Sequence, residues 1–145
     1  MKPNILKLTA ILLISAGCFS CRSTHDDNQT LSLEGTSWKL SGIVDIETGA
    51  LKILEPQDCE ECYTLTFEAD NTFSAFSSAN KLRGNYNAEY KTYIIHVANF
   101  GGTKLAERGD GGLWWDIIPS VKSFSLKKDE LKLYFNNKYL LFKEL

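Results

Sequence analysis

Histidine is scarce in this chain, two residues in 145, and that scarcity removes much acid–base and metal chemistry at the outset. His25 lies in a polar N-terminal stretch, where nothing pre-organises further ligands. His96 stands between Ile95 and Val97, on the opposite face of an alternating segment, where a strand histidine is ordinarily part-exposed or hydrogen-bonded. No G-x-S-x-G turn is present to expose a nucleophile. Gly109-Asp110-Gly111-Gly112 lacks the D-x-D spacing and closing glutamate of a calcium loop, and reads as a flexible loop before a helix. Glu60-Glu61 and Asp129-Glu130 fall in turns, where carboxylates stay solvated and ordinary. The expectation is no catalytic residue, no metal and no cofactor.

Long runs of one kind are missing too. The 16 Lys and Arg are scattered among 18 Asp and Glu, so no positive face concentrates for nucleic acid or for anionic lipid. There is no internal repeat and no low-complexity block. The longest apolar stretch, Ile5 to Ala16, is broken by Lys7 and Thr9 and is too short to span a bilayer as a helix.

What that stretch does resemble is a secretory signal: Lys2 and Lys7 ahead of an apolar run, then Ala16-Gly17 before Cys18. The small residues before Cys18 are similar to the lipobox of bacterial lipoproteins, in which the cysteine is acylated and becomes the N-terminus. Ser15 departs from the leucine usual there, and Cys21, after Phe19-Ser20, is the alternative acceptor. Residues 1–17 are thus expected as a lipoprotein signal peptide. Their removal takes away only Lys2 and Lys7 among charged groups, leaving 14 basic against 18 acidic residues, net −4. Residues 18–32 are polar and aperiodic and read as a lipidated flexible tether. Residues 33–145 suffice for one domain with a real core. The expected place is the cell envelope, on the outer membrane, with the acyl anchor as the membrane contact.

Cys59 and Cys62 form C-E-E-C among Glu55, Asp58, Glu60 and Glu61. Carboxylates disfavour a reactive thiolate, and a strand pattern rather than a helix follows, so a redox couple is not expected. A structural disulfide or two inert thiols are the open readings. No further Cys or His at suitable spacing completes a zinc site.

From Leu33 onward apolar and polar residues alternate with period two. Trp38 and Leu40, Leu65 and Phe67, Ile95 and Val97, Phe124 and Leu126, and Leu131, Leu133 and Phe135 each mark a half-buried strand. Thr48-Gly49, Asp70-Asn71, Asn87-Ala88-Glu89, Lys128-Asp129 and Asn136-Asn137 supply turn chemistry between them. Short strands and short turns predict a mainly β fold, an antiparallel barrel or meander. One short helix is predicted near residues 110–118, burying Leu113, Trp114, Ile117 and Ile118, capping an open end and stopped by Pro119. Trp114 and Trp115 project about 100° apart on such a helix and cannot both face one core. Aromatics are expected to fill and rim the barrel, with an exposed Trp114–Trp115 contact surface as the sharper alternative.

Several segments, taken in order, resemble the META domain of small envelope proteins such as the HslJ-type lipoproteins. Leu33-Glu34-Gly35-Thr36-Ser37-Trp38-Lys39-Leu40 is similar to that family's opening L-x-G-T-x-W-x-L, and Leu65-Thr66-Phe67 to its first hairpin. Ser77-Ser78-Ala79-Asn80 through Gly84 and Tyr86 resembles its S-G-C-N-x-x-x-G-x-Y, and Thr103-Lys104-Leu105-Ala106 its T-x-M-A. Leu131-Lys132-Leu133 and Tyr139 to Phe142 are similar to the closing hairpin. Ala79 stands where the family often has cysteine, so no role of that cysteine transfers. The resemblance implies a lipocalin-topology barrel with one helix, a link to envelope stress, and no shared catalytic residue. The expected function is a non-enzymatic binding or interaction domain, monomeric, meeting an envelope protein; the alternative is a lipocalin-like carrier of a small apolar ligand.

Overall fold

Alternation along the chain lays down antiparallel strands in the computed structural model, which describes residues 31–145. The signal segment, Cys18, Cys21 and His25 lie outside the described residues. The strands are β1 Ser37–Asp45, β2 Leu51–Lys52, β3 Thr64–Phe67, β4 Thr72–Phe76, β5 Lys81–Glu89, β6 Ile94–Gly102, β7 Ser123–Lys127, β8 Glu130–Phe135 and β9 Lys138–Glu144. Each pairs with its neighbour in the order β1-β3-β4-β5-β6-β7-β8-β9, and β1 also pairs with β9. All strands but the two-residue β2 therefore close an antiparallel, lipocalin-like barrel, with β2 lying on β1 beyond the end of β3.

The inward rows match the alternation. Trp38, Leu40, Leu65, Phe67, Ile95, Phe124, Leu133 and Phe142 are all buried. Leu126 is only partly so. β7 meets β6 at a single pair, Ile94↔Ser123, and then runs on past its start, which carries Leu126 beyond the packed interior. Side chains fill the barrel, leaving a void of about 10 Å³ among Leu65, Phe67, Phe73, Ile95, Ile118 and Leu133. That is hardly room for one water.

Each end is closed differently. Leu33, with no exposed surface, lies where the chain enters, and Gly35 N–H donates to Phe67 O; we call this the lower end. At the upper end, α1 (Gly111–Ile117) and a 3-10 turn (Ile118–Ser120) bury Trp114, Ile117, Ile118 and Val121. They fill the thin seam between β6 and β7.

Three sequence expectations are corrected. Asn87-Ala88-Glu89 is not a turn but the end of β5, paired with Ile94 to His96. Its polar side chains suit the outer face, and the turn falls at Tyr90 to Tyr93. Pro119 ends α1 without expelling Ile118 from helical dihedrals (φ −56°, ψ −46°), because the chain tightens into the 3-10 turn. Leu113 stays exposed, since a helix of 7 residues buries one narrow face, here that of Trp114 and Ile117.

Candidate functional site

Polar side chains are buried at the upper end, in the turn between β4 and β5. Ser77, Ser78 and Asn80 are all at most 1% exposed, and a buried polar group needs partners. They find them in Glu107. Its carboxylate accepts from Ser77 Oγ (2.7 Å), Ser78 Oγ (2.6 Å), Asn80 Nδ2 (2.6 Å) and Trp115 Nε1 (2.7 Å). Asn80 Oδ1 in turn accepts from Thr103 Oγ1 (2.9 Å) and Leu105 N–H (2.7 Å). Burial pushes the Glu107 pKa up, but the four side-chain donors outweigh it and hold the group at about 2. A carboxylate that acidic is a poor proton carrier near neutrality. It is a strut that ties the β4–β5 turn to the chain entering α1.

Two glycines make this closeness possible. A Cβ on Gly111 would sit 2.1 Å from Ser78 Oγ and 2.3 Å from the Glu107 carboxylate. Gly109 adopts φ +52°, and a Cβ there would lie 2.3 Å from Glu55 O. Asp110 accepts from Lys52 Nζ (2.9 Å) and Glu55 N–H (3.0 Å), and these bonds hold its pKa below the usual range. The expected flexible loop at 109–112 is therefore an anchored one, fixed by contacts far away in sequence.

Beside it, Cys59 and Cys62 are joined as a disulfide with Cα atoms 5.3 Å apart. Lys39 Nζ donates to the carbonyls of Cys59 (2.8 Å), Glu60 (2.9 Å) and Cys62 (2.5 Å), using all three ammonium donors. Burial pushes the Lys39 pKa down, against the pull of Glu60. Cys62 is fully buried. Burial, followed by the charges of Asp110 and Glu107, raises neighbouring Tyr63 to about 12. This end of the barrel is chemically quiet. Among the described residues, no group of three His, Cys, Asp or Glu converges as a metal site.

The larger feature lies on the outer face of β3, β4 and β5. An open trough of about 1070 Å³ is lined by Thr64, Thr66, Ser74, Arg83, Asn85 and Asn99, with Glu60 and Glu61 at its upper rim. Register explains it. Ser37, Thr66, Ser74 and Arg83 are directly cross-strand from one another, forming one row. Thr72 and Asn85 form part of a second. Hydroxyls and amides face solvent in ranks, with the Arg83 guanidinium among them. The Ser37 and Thr66 hydroxyls bond each other at 3.0 Å, and Ser74 donates to Glu68 at 2.9 Å.

The suggested Trp114–Trp115 contact surface is corrected. Trp114 has no exposed surface and lies edge-on to Tyr63 and Phe142, because the mouth of the barrel needs its largest side chain there. Its indole N–H has no hydrogen-bond partner among the described residues. Trp115 is half-buried against Phe100 and donates to Glu107. His96 is exposed on β6. The polar knot was invisible in sequence, since Glu107 between Ala106 and Arg108 carries no pattern. The trough did have a signal: Thr64 and Thr66 flank Leu65, and Thr72 and Ser74 flank Phe73.

No known family profile matches the chain. A protein of Tannerella forsythia named "Putative lipoprotein" is 33% identical over 141 residues, covering 96% of this chain and 94% of that protein. The NMR structure of a protein from Burkholderia xenovorans superposes with a TM-score of 0.63 at 20% identity, over 83% of this chain and 97% of that one. The crystal structure of a DUF4847 family protein from Bacteroides vulgatus gives 0.58 at 15% identity, over 75% and 92%. These two likenesses are of fold alone.

Proposed function

This chain belongs to the lipoprotein family of its Tannerella forsythia relative, and from that membership we propose a lipid-anchored envelope protein whose barrel is a non-enzymatic binding module for another envelope protein. The alignment spans 96% of the chain, which takes in Cys18 and Cys21 alike. The small residues Ala16 and Gly17 before Cys18 support it as the acylated residue, with residues 1–17 as the signal. Placement on the outer membrane, membership of the META domain and a link to envelope stress belong to the same proposal, carried by the motif order of residues 33–142.

The observation that carries the binding role is the contrast between inside and outside. A carrier of a small apolar ligand needs a cavity of about 300 Å³ or more, against the 10 Å³ found within the barrel. The open volume is instead on the outer face of β3 to β5, about 1070 Å³, where hydroxyl, amide and guanidinium groups stand among apolar side chains such as Phe76 and Leu145 and the carboxylates of Glu60, Glu61 and Glu68. Such a mixed surface suits a protein segment held by several hydrogen bonds and apolar contacts, with Arg83 as one of its charged contacts. Catalysis is not part of the proposal, since the best-held carboxylate, Glu107, is occupied by its donors.

Cross-linking in intact cells, followed by mass spectrometry, tests this reading. A reproducible envelope partner whose recovery falls about tenfold or more on Arg83→Glu is expected, a loss on the scale of one central charged contact. Partner recovery unchanged by Arg83→Glu, or a lipid co-purifying at stoichiometric yield, overturns it.

A further inference from the structure

The lower end of the barrel carries apolar and aromatic groups that the binding role does not use. Leu31 is 45% exposed, Tyr90 37%, Tyr93 54% and Ile94 39%. The chain leaves its tether there: Leu33 N–H donates to Tyr90 Oη at 2.9 Å, and Ser32 Oγ lies 3.3 Å from the same oxygen. The two tyrosines are not loose. Both pack edge-on against buried Phe124, with ring centroids 5.5 and 5.7 Å away. Tyr93 also holds φ +56°, a hairpin position that ordinarily takes Gly or Asn. Local backbone preference has been overridden to present a tyrosine outward.

We propose that this end seats on the lipid surface that holds the acyl anchor, with Tyr93 and Ile94 in the headgroup layer. The inference rests on the anchor at Cys18 proposed above. Twelve residues, numbers 19 to 30, separate that anchor from Leu31. The thirteen Cα–Cα steps from Cys18 to Leu31 reach no more than about 47 Å. The patch is therefore kept close to the bilayer at high effective concentration, where a weak contact is well populated. Tyrosine, with an apolar ring and a polar tip, suits the boundary between water and lipid. Glu89 and Lys91 flank Tyr90 with opposite charges, so the contact is apolar and interfacial rather than electrostatic. A second apolar group, Ile46, Leu51 and Ile53, lies by the β1–β2 connection at the other end, away from the tether.

The test uses the mature acylated chain in phosphatidylethanolamine–phosphatidylglycerol vesicles, with Cys21→Ser so that a nitroxide attaches only where placed. One sample carries it at Thr92→Cys, in the Tyr90–Tyr93 turn, and another at Glu47→Cys, beside Ile46. Flotation and intact mass first report the anchor, independently of the label. The label at 92 should collide with a water-soluble nickel complex at least about fivefold less than the label at 47, as expected for headgroup depth. Adding Tyr93→Ser and Ile94→Ser should return 92 to aqueous values while the protein still floats. A chain that floats with acyl mass but shows 92 as aqueous as 47, or 47 the deeper, overturns the docking and spares the anchor. A chain that neither floats nor carries acyl mass overturns the anchor, and the docking with it.

Discussion

Glu107 shows how a single residue can organise one end of a barrel without doing chemistry. Its four side-chain donors come from two segments distant in sequence, so the carboxylate joins elements that share no strand pairing. Glu107→Gln keeps one acceptor oxygen but turns an amide donor towards groups that are themselves donors. A loss of about 2 kcal/mol at pH 7 is expected from denaturant titration, the scale of charged hydrogen bonds left unmade. The pH dependence gives the sharper check. The folded pKa, about 2, lies below the ordinary 4.5. The charged group therefore stabilises the fold above 4.5, and that contribution is lost as pH falls from 4.5 towards 2. The gap between wild type and Glu107→Gln should close over that window. A gap that stays constant from pH 7 to pH 2 would mean the bonds do not depend on ionised Glu107.

At the scale of elements, α1 and its preceding loop explain why some of the fold was legible in sequence and some was not. Strand alternation is local, so the inward faces of β1, β3 and β8 could be read directly. The spacing of Trp114 and Ile118 likewise marked a short helix. The Gly109–Gly112 segment reads locally as loose because its anchors, Glu55 and Ser78, are many residues away. Asn87 to Glu89 misleads for a related reason: turn-forming residues are also acceptable on the solvent face of a long strand, and pairing with β6 decides the matter. The same distance hides how the candidate trough is assembled: Thr64, Thr66, Thr72 and Ser74 mark outer faces locally, but their rows exist only once β1, β3, β4 and β5 are in register. Gly111→Ala tests the anchored loop. Its Cβ would collide with Ser78 Oγ and Glu107, although alanine favours helix by about 1 kcal/mol. If the tight contact governs, the variant loses about 1–3 kcal/mol, measured by thermal or urea unfolding. A variant more stable than wild type would show that the knot yields easily and that helix propensity wins.

Considered as a whole, the molecule has a packed interior, an open outer trough, and two ends with different surfaces. That division depends on the barrel being full, since a hollow one would move the case back to an internal ligand. Phe67 is the most direct probe. It is 2% exposed, meets Tyr86 edge-on with ring centroids 4.8 Å apart, and borders the residual void together with Leu65, Phe73 and Leu133. Truncation to alanine removes a ring from a closed wall whose strands are paired on both sides, so the site has little freedom to collapse. A loss of about 3–5 kcal/mol is expected, the range for Phe→Ala in cores that relax only in part. Because the barrel is continuous through the β1–β9 pairing, the loss should appear as an earlier but still single unfolding transition. An apolar dye should gain no stoichiometric site in the wild-type protein, since 10 Å³ holds none. If Phe67→Ala melts like its parent, or the dye binds the wild type at one equivalent and raises its melting temperature, the interior is accommodating rather than filled. The carrier would then displace the outer-face binding module as the better account of this barrel.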